Sequence, residues 1–155
     1  MGGINTYTYV SNNPLRYIDP YGLAQFGYRP LGDGNNSFSP GDVPNGSSNL
    51  QKAHEQLWFD DYPNDNVGFF AGDGSGLGPK LCGETGDVRS DRNHKREQYS
   101  FFGPVYDDEL MRQALKNIEP QWSDQSYCLA GQNCQDFADA LRGEYNKLLN
   151  SQPRH

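Results

Sequence analysis

The stretch "AHEQLWFDDYPNDNVGFF", Ala53 to Phe70, decides the fold class. His54, Gln56, Trp58 and Asp60 alternate with Glu55, Leu57 and Phe59, which is the period of two that a strand requires. "YPND" turns the chain, and "NVGFF" from Asn66 continues as a second strand, so the stretch predicts a β-hairpin. Further along, "YSFFGPVY", Tyr99 to Tyr106, reads as another strand with Pro104 near its end, where a missing N–H is tolerated.

Two helices follow. Asp107 to Glu119 carries an N-cap acid, Asp108 and Glu109 in the first turn, an apolar face of Leu110, Met111, Ala114, Leu115 and Ile118, and Pro120 as a stop. "NCQDFADALRGEYNKLL" opens on Asn133 as N-cap with Asp136 three residues on, and Phe137, Ala138, Leu141, Tyr145 and Leu148 form its stripe. A small antiparallel sheet packed on helices, an α+β fold over residues 50–150, is the expectation. Trp58, Phe69, Phe70, Phe101 and Phe102 are read as core. The stretch between the hairpin and Tyr99, "GDGSGLGPKLCGETGDVRSDRNHKREQ", reads as a long surface loop; its Gly-rich start lacks the Lys-Ser/Thr of a phosphate-binding loop.

The chain has 155 residues, enough for one domain with an appendage. Aromatic residues at 13% argue for a packed core, and 18 Gly with 10 Pro argue for many loops. A net charge of -7 disfavours diffuse attraction to phosphate backbones or anionic membranes, and no apolar run is long enough to span a bilayer. Neither a nucleic-acid partner nor a membrane span is therefore expected. Of three cysteines, Cys82, Cys128 and Cys134, no pair has zinc-knuckle spacing, and a disulfide framework is not expected. Cys82 reads as incidental and Cys128 as a packed strand residue. Residues 24–49, dominated by "GDGNNSFSPGDVPNGSS", read as a flexible linker.

Residues 1–23, "MGGINTYTYVSNNPLRYIDPYGL", differ in character from the rest. Their pattern of Asn5, Tyr7, Tyr9, Val10, Asn12, Asn13, Pro14, Asp19, Pro20, Gly22 and Leu23 resembles the end of the core of Rhs-repeat (YD-repeat) proteins. The resemblance implies a boundary. The core would be cut after Leu23 with Asp19 assisting, a toxin domain would begin at Ala24, and the partners would be the Rhs cage and a cognate immunity protein. It also implies export through a specialised secretion system and action inside a target cell.

Cys134 occupies the first turn of the second helix, where unpaired N–H groups and the macrodipole favour a thiolate. His54, on the hairpin strand, is the candidate base; His94 in "SDRNHKRE" reads as solvated and His155 as terminal. "NCQDFADAL" after Tyr127 and Leu129, with the order His54 then Cys134, resembles the cysteine motif of circularly permuted papain-like domains related to NlpC/P60 hydrolases and lecithin:retinol acyltransferase-like enzymes. That resemblance implies a cysteine hydrolase or acyltransferase without a cofactor, acting on a protein, peptidoglycan or acyl substrate. Asn66 is the preferred third residue, with Gln56, Asp60 and Asp73 as alternatives, and Gln132 would assist an oxyanion hole beside the Cys134 amide. Two rival readings stand beside it: a non-catalytic target-binding toxin domain, and a metal-dependent nuclease using the segment from Asp87 to His94.

Overall fold

The computed structural model describes residues 22–30, 53–72, 82–123, 125–128 and 131–152. Its elements in chain order are β1 (Leu23–Pro30), β2 (Ala53–Phe59), β3 (Asn66–Ala71), β4 (Cys82–Arg89), β5 (Ser100–Asp107), α1 (Asp108–Trp122), β6 (Ser126–Cys128) and α2 (Cys134–Ser151), with a short 3₁₀ turn at Arg96–Gln98. The strands form one antiparallel sheet in the order β5-β1-β2-β3-β4-β6. Both helices lie on one face of it, so the α+β expectation holds.

The hairpin of β2 and β3 forms as its alternation requires, with Leu57 opposite Val67 and Trp58 opposite Asn66. Neither face of β2 meets water, because all seven residues from Ala53 to Phe59 are buried. On the helix side, Phe26, Leu57, Phe69, Met111, Phe137 and Leu141 belong to one continuous core. Phe69 sits at its centre, with its ring 5.0 Å from Trp122 and 6.0 Å from Phe137.

Three expectations about the secondary structure are corrected. Residues 24–30 are not linker: they form β1, an inner strand paired with both β2 and β5, and Ala24, Phe26 and Tyr28 are buried. The alternation Ala24, Phe26, Tyr28 is the strand signal, hidden in the sequence by the Gly/Ser/Asn-rich residues that follow; 31–49 lie outside the described residues. The long loop is interrupted by β4, whose Gly86 is required because a Cβ there would lie 1.9 Å from the Phe69 ring. Glycine-rich composition is thus a packing demand at this position as well as a loop signal. Finally, α1 runs through Pro120 to Trp122, since Trp122 is held against Phe69 and Phe137 and Ser123 closes the helix on the Glu119 carbonyl.

The caps stand where expected. Asp107 accepts from the Leu110 amide, and Asn133 and Asp136 form a reciprocal capping box at α2. Pro104 falls in β5, an edge strand, next to the bulge at which Gly103 takes φ +100°. No described helix is long and apolar enough to cross a membrane.

Cys82 and Cys128 form a disulfide that joins β4 to β6, against the expectation of incidental and merely packed thiols. Their separation of 46 residues hid the pairing, and only the register of the two strands brings them opposite each other. Cross-links of this kind stabilise by about 2–4 kcal/mol.

Because β1 separates β5 from β2, a chain starting at Leu50 should lack a cooperative urea transition and native near-ultraviolet circular dichroism. A chain starting at Ala24 should retain both. Equal folding of the two would contradict the placement of β1.

Candidate functional site

Side chains of successive strand residues point to opposite faces, and β2 uses this to build two unlike environments. Towards the helices stand Ala53, Glu55, Leu57 and Phe59. Glu55 is buried against Arg142 of α2, which also donates to the Tyr28 hydroxyl at 3.1 Å and lies over the Phe26 ring. Burial pushes the Glu55 carboxyl up, and Arg142 opposes this.

Cys134 belongs to this helix side. It is fully buried, and its Sγ accepts from the Glu55 amide at 3.4 Å and donates to the Ala53 carbonyl at 3.7 Å. These backbone groups lie where the ladder between β2 and β3 has ended, so the sulfur stands in for a missing strand partner. His54 projects the other way, with its ring 4.5 Å from Phe70 and in contact with Gln56. The expected pair is therefore not assembled: thiol and imidazole occupy opposite faces of one strand, and the sulfur is closed off from solvent. The N-terminal placement of Cys134 was read correctly from the sequence. What that reading lacked was the parity of His54 relative to the helices.

Asn66 does not touch the His54 ring. Gln56, one of the alternatives, comes between them: its amide bridges His54 Nε2 at 3.0 Å and Asn66 Oδ1 at 2.6 Å. Gly68 makes room for this bridge, since a Cβ there would lie 2.0 Å from the Gln56 side chain. Asp60 pairs with Arg96, and Asp73 and Asp19 lie outside the described residues, as does His155. Gln132, the expected oxyanion donor, has its polar groups engaged elsewhere. Its side chain donates to Gln125 at 2.6 Å, and its backbone exchanges hydrogen bonds with Cys128. Leu23, the expected boundary residue, opens β1, and its carbonyl accepts from the Asp60 amide.

The face of His54 and Gln56 is covered by residues 90–99, and its hub is Asp91. The Asp91 carboxylate, 3% exposed, accepts from the Tyr99 hydroxyl at 2.7 Å, from the Asn93 and His94 amides at 3.0 and 3.2 Å, and from Arg29 at 3.4 Å. Its Oδ2 also lies 2.9 Å from His94 Nδ1. Asp91 is fixed to the sheet from behind, because its own amide donates to Asn66 Oδ1 at 2.7 Å. Burial alone would raise this carboxyl, but the bonds from Tyr99 and Asn93 and the facing His94 and Arg29 outweigh it and hold it below the usual aspartate value. Tyr99 is pushed well above the ordinary phenol value by burial and by its bond to Asp91, so it remains a donor.

His94 is the member of this cluster that reaches the surface, with 23% of its side chain exposed. Cations frame it. Arg89 lies over Phe70 at 4.4 Å, Arg96 lies over Phe101 at 4.7 Å, and Arg92 and Lys95 are exposed. The buried Trp58 Nε1 on this face has no acceptor among the described residues. No group of three or more His, Cys, Asp and Glu side chains among the described residues is arranged to hold a metal ion. Asp87, at one end of the segment considered for a metal-dependent nuclease, pairs instead with Arg89.

Two measurements check these placements. Cys134→Ala should cost about 1–3 kcal/mol in urea unfolding, because it strands buried backbone groups, and Cys134→Ser should cost less. Iodoacetamide should modify Cys134 only after unfolding; rapid labelling of the native protein near neutral pH would place the sulfur elsewhere.

The second concerns His54, which burial, aided by Arg29, lowers to about 3 against the opposing contacts of Gln56 and Asp91. The unfolded chain takes up this proton below about pH 6.5, whereas the folded chain does not until about pH 3. Stability present above pH 6.5 is therefore lost as pH falls through that window. Glu55 and Asp108 titrate in the opposite sense, Asp108 being raised to about 6 by burial with Arg112 opposing. The test is accordingly a comparison: His54→Leu should lose less stability than wild type between pH 7 and pH 5.

Compared with known proteins, the chain matches no family model, no curated protein and no solved structure.

Proposed function

We propose that residues 1–23 are the end of an Rhs-type core and that the remainder is an exported effector domain, a hydrolase or related transferase working by general acid–base chemistry through His94. The boundary rests on the resemblance of residues 1–23, whose last residue, Leu23, is also the first of β1. The Cys82–Cys128 disulfide supports export, since such bonds persist in oxidising surroundings. The cage and a cognate immunity protein are the partners this reading carries with it.

One observation carries the chemistry. A buried, anchored carboxylate holds His94 by Nδ1 at 2.9 Å, and 23% of the His94 side chain is exposed. A carboxylate in that position fixes ring orientation and tautomer and stabilises the imidazolium that forms when the ring takes a proton. Histidine so held is the commonest proton-transfer group in enzymes, and such transfer contributes about 10²–10⁴-fold in rate. Asp91 is then a positioning residue and Cys134 a structural one.

Expression of residues 24–155 in a bacterial test strain should arrest growth. His94→Gln, a partly exposed replacement compatible with folding, should relieve the arrest, whereas Cys134→Ser should not. Undiminished toxicity of a folded His94→Gln protein would remove His94 from the chemistry. Loss of toxicity with a folded, normally abundant Cys134→Ser protein would return the thiol to it.

A further inference from the structure

We propose that the His94 face accepts a single-stranded RNA backbone and that the effector cleaves it using the ribose 2′-hydroxyl as nucleophile. This rests on the acid–base reading of His94 and names its substrate.

Local charge supports an anionic substrate despite the net charge of -7. "RSDRNHKR", Arg89 to Arg96, carries four cations, Arg89, Arg92, Lys95 and Arg96, against one acid, Asp91. Asp91 is turned inward at 3% exposure and occupied by Tyr99, Arg29 and His94, so the segment presents positive charge outward. The exposed acids near it, Asp60, Asp87 and Glu97, are outnumbered by those four cations, and salt screens charges farther than about 8 Å at physiological ionic strength.

The cations are also placed for phosphate. Guanidinium groups resting on aromatic rings, as Arg89 does on Phe70 and Arg96 on Phe101, keep their N–H forks available at the edge. Their present partners, Asp87 and Asp60, are surface carboxylates about half exposed, and such pairs contribute little and exchange readily. Phe70 and Phe101, both only partly buried, add apolar ring surface of the kind on which bases stack.

The choice of RNA comes from what the site lacks among its described residues. The Ser90 hydroxyl donates to the Asn66 carbonyl, the Tyr99 hydroxyl donates to Asp91, and Cys134 lies on the opposite face. With no nucleophilic side chain presented beside His94 among the described residues, a substrate that carries its own nucleophile suits this face. His94 takes the proton of the 2′-hydroxyl, the O2′–P bond forms as the P–O5′ bond breaks, and the departing 5′-oxygen takes a proton from water. The products are a 2′,3′-cyclic phosphate and a 5′-hydroxyl. His94 then returns its proton to solvent, so no oxidant or reductant is required.

The test uses residues 24–155 with a labelled oligoribonucleotide, the same sequence as DNA, and its 2′-O-methyl form. RNA should be cut to cyclic-phosphate ends, while DNA and 2′-O-methyl RNA remain whole. His94→Gln should slow cutting by about 100-fold or more and leave binding of the 2′-O-methyl strand within roughly two-fold. Arg92→Gln with Lys95→Gln should weaken that binding and flatten its dependence on salt. Intact RNA with the wild-type protein, equal cutting of DNA, or undiminished cutting by His94→Gln would each overturn the proposal. If His94→Gln relieves toxicity while RNA is neither bound nor cut, the substrate assignment fails and the acid–base reading survives. If His94→Gln remains toxic and RNA remains whole, both fail.

Discussion

The structure depends on β2 being buried on both faces. A strand in that position has to satisfy two sets of alternating side chains at once, and in this chain both sets contain polar groups. Burying a polar group without a partner costs more than a hydrogen bond returns, so each polar residue of β2 dictates something distant. Glu55 requires Arg142 on α2; His54 and Gln56 require Asn66 and the covering segment at residues 90–99. The sheet, the register of α2 against it and the shape of that segment are linked through seven residues.

From that division follow the different fates of the two groups that first suggest chemistry. Cys134 has the helix-terminal position that activates thiols, yet its sulfur is taken up by the amide of Glu55 and the carbonyl of Ala53. His54 sits in a site too dry to carry charge near neutral pH. Activation needs access to solvent or substrate as well as a favourable field, and burial denies it to both. His94, in a charged and superficially loop-like run, has the access that these two lack. Asp91 supplies it with an orienting carboxylate whose own position is set by the sheet.

Legibility in the sequence followed the range of the interactions. The hairpin, both helix caps and the apolar stripes of α1 and α2 were readable because they depend on neighbours within a few residues. β1 and β4 were not: their residues become strand-like through pairing with residues 15–84 positions away in the chain, and the composition of both resembles loop. The same holds for the disulfide, which depends on strand register across 46 residues. At the site, Gln56 was visible only as one alternative among several, and His94 was set aside because an interleaved run of acids and bases looks solvated until one acid is seen to face inward.

By itself, then, the sequence determined the kinds of elements, their ends, the alternation along β2 and the α+β class, since backbone propensity, capping and amphipathic period are local properties of the chain. Tertiary structure alone decided which face of β2 meets the helices, and with it that Cys134 and His54 stand apart. The reason is parity: in a strand, a side chain's face is fixed only relative to its neighbours, and the neighbours' side is chosen by packing against parts of the chain far away.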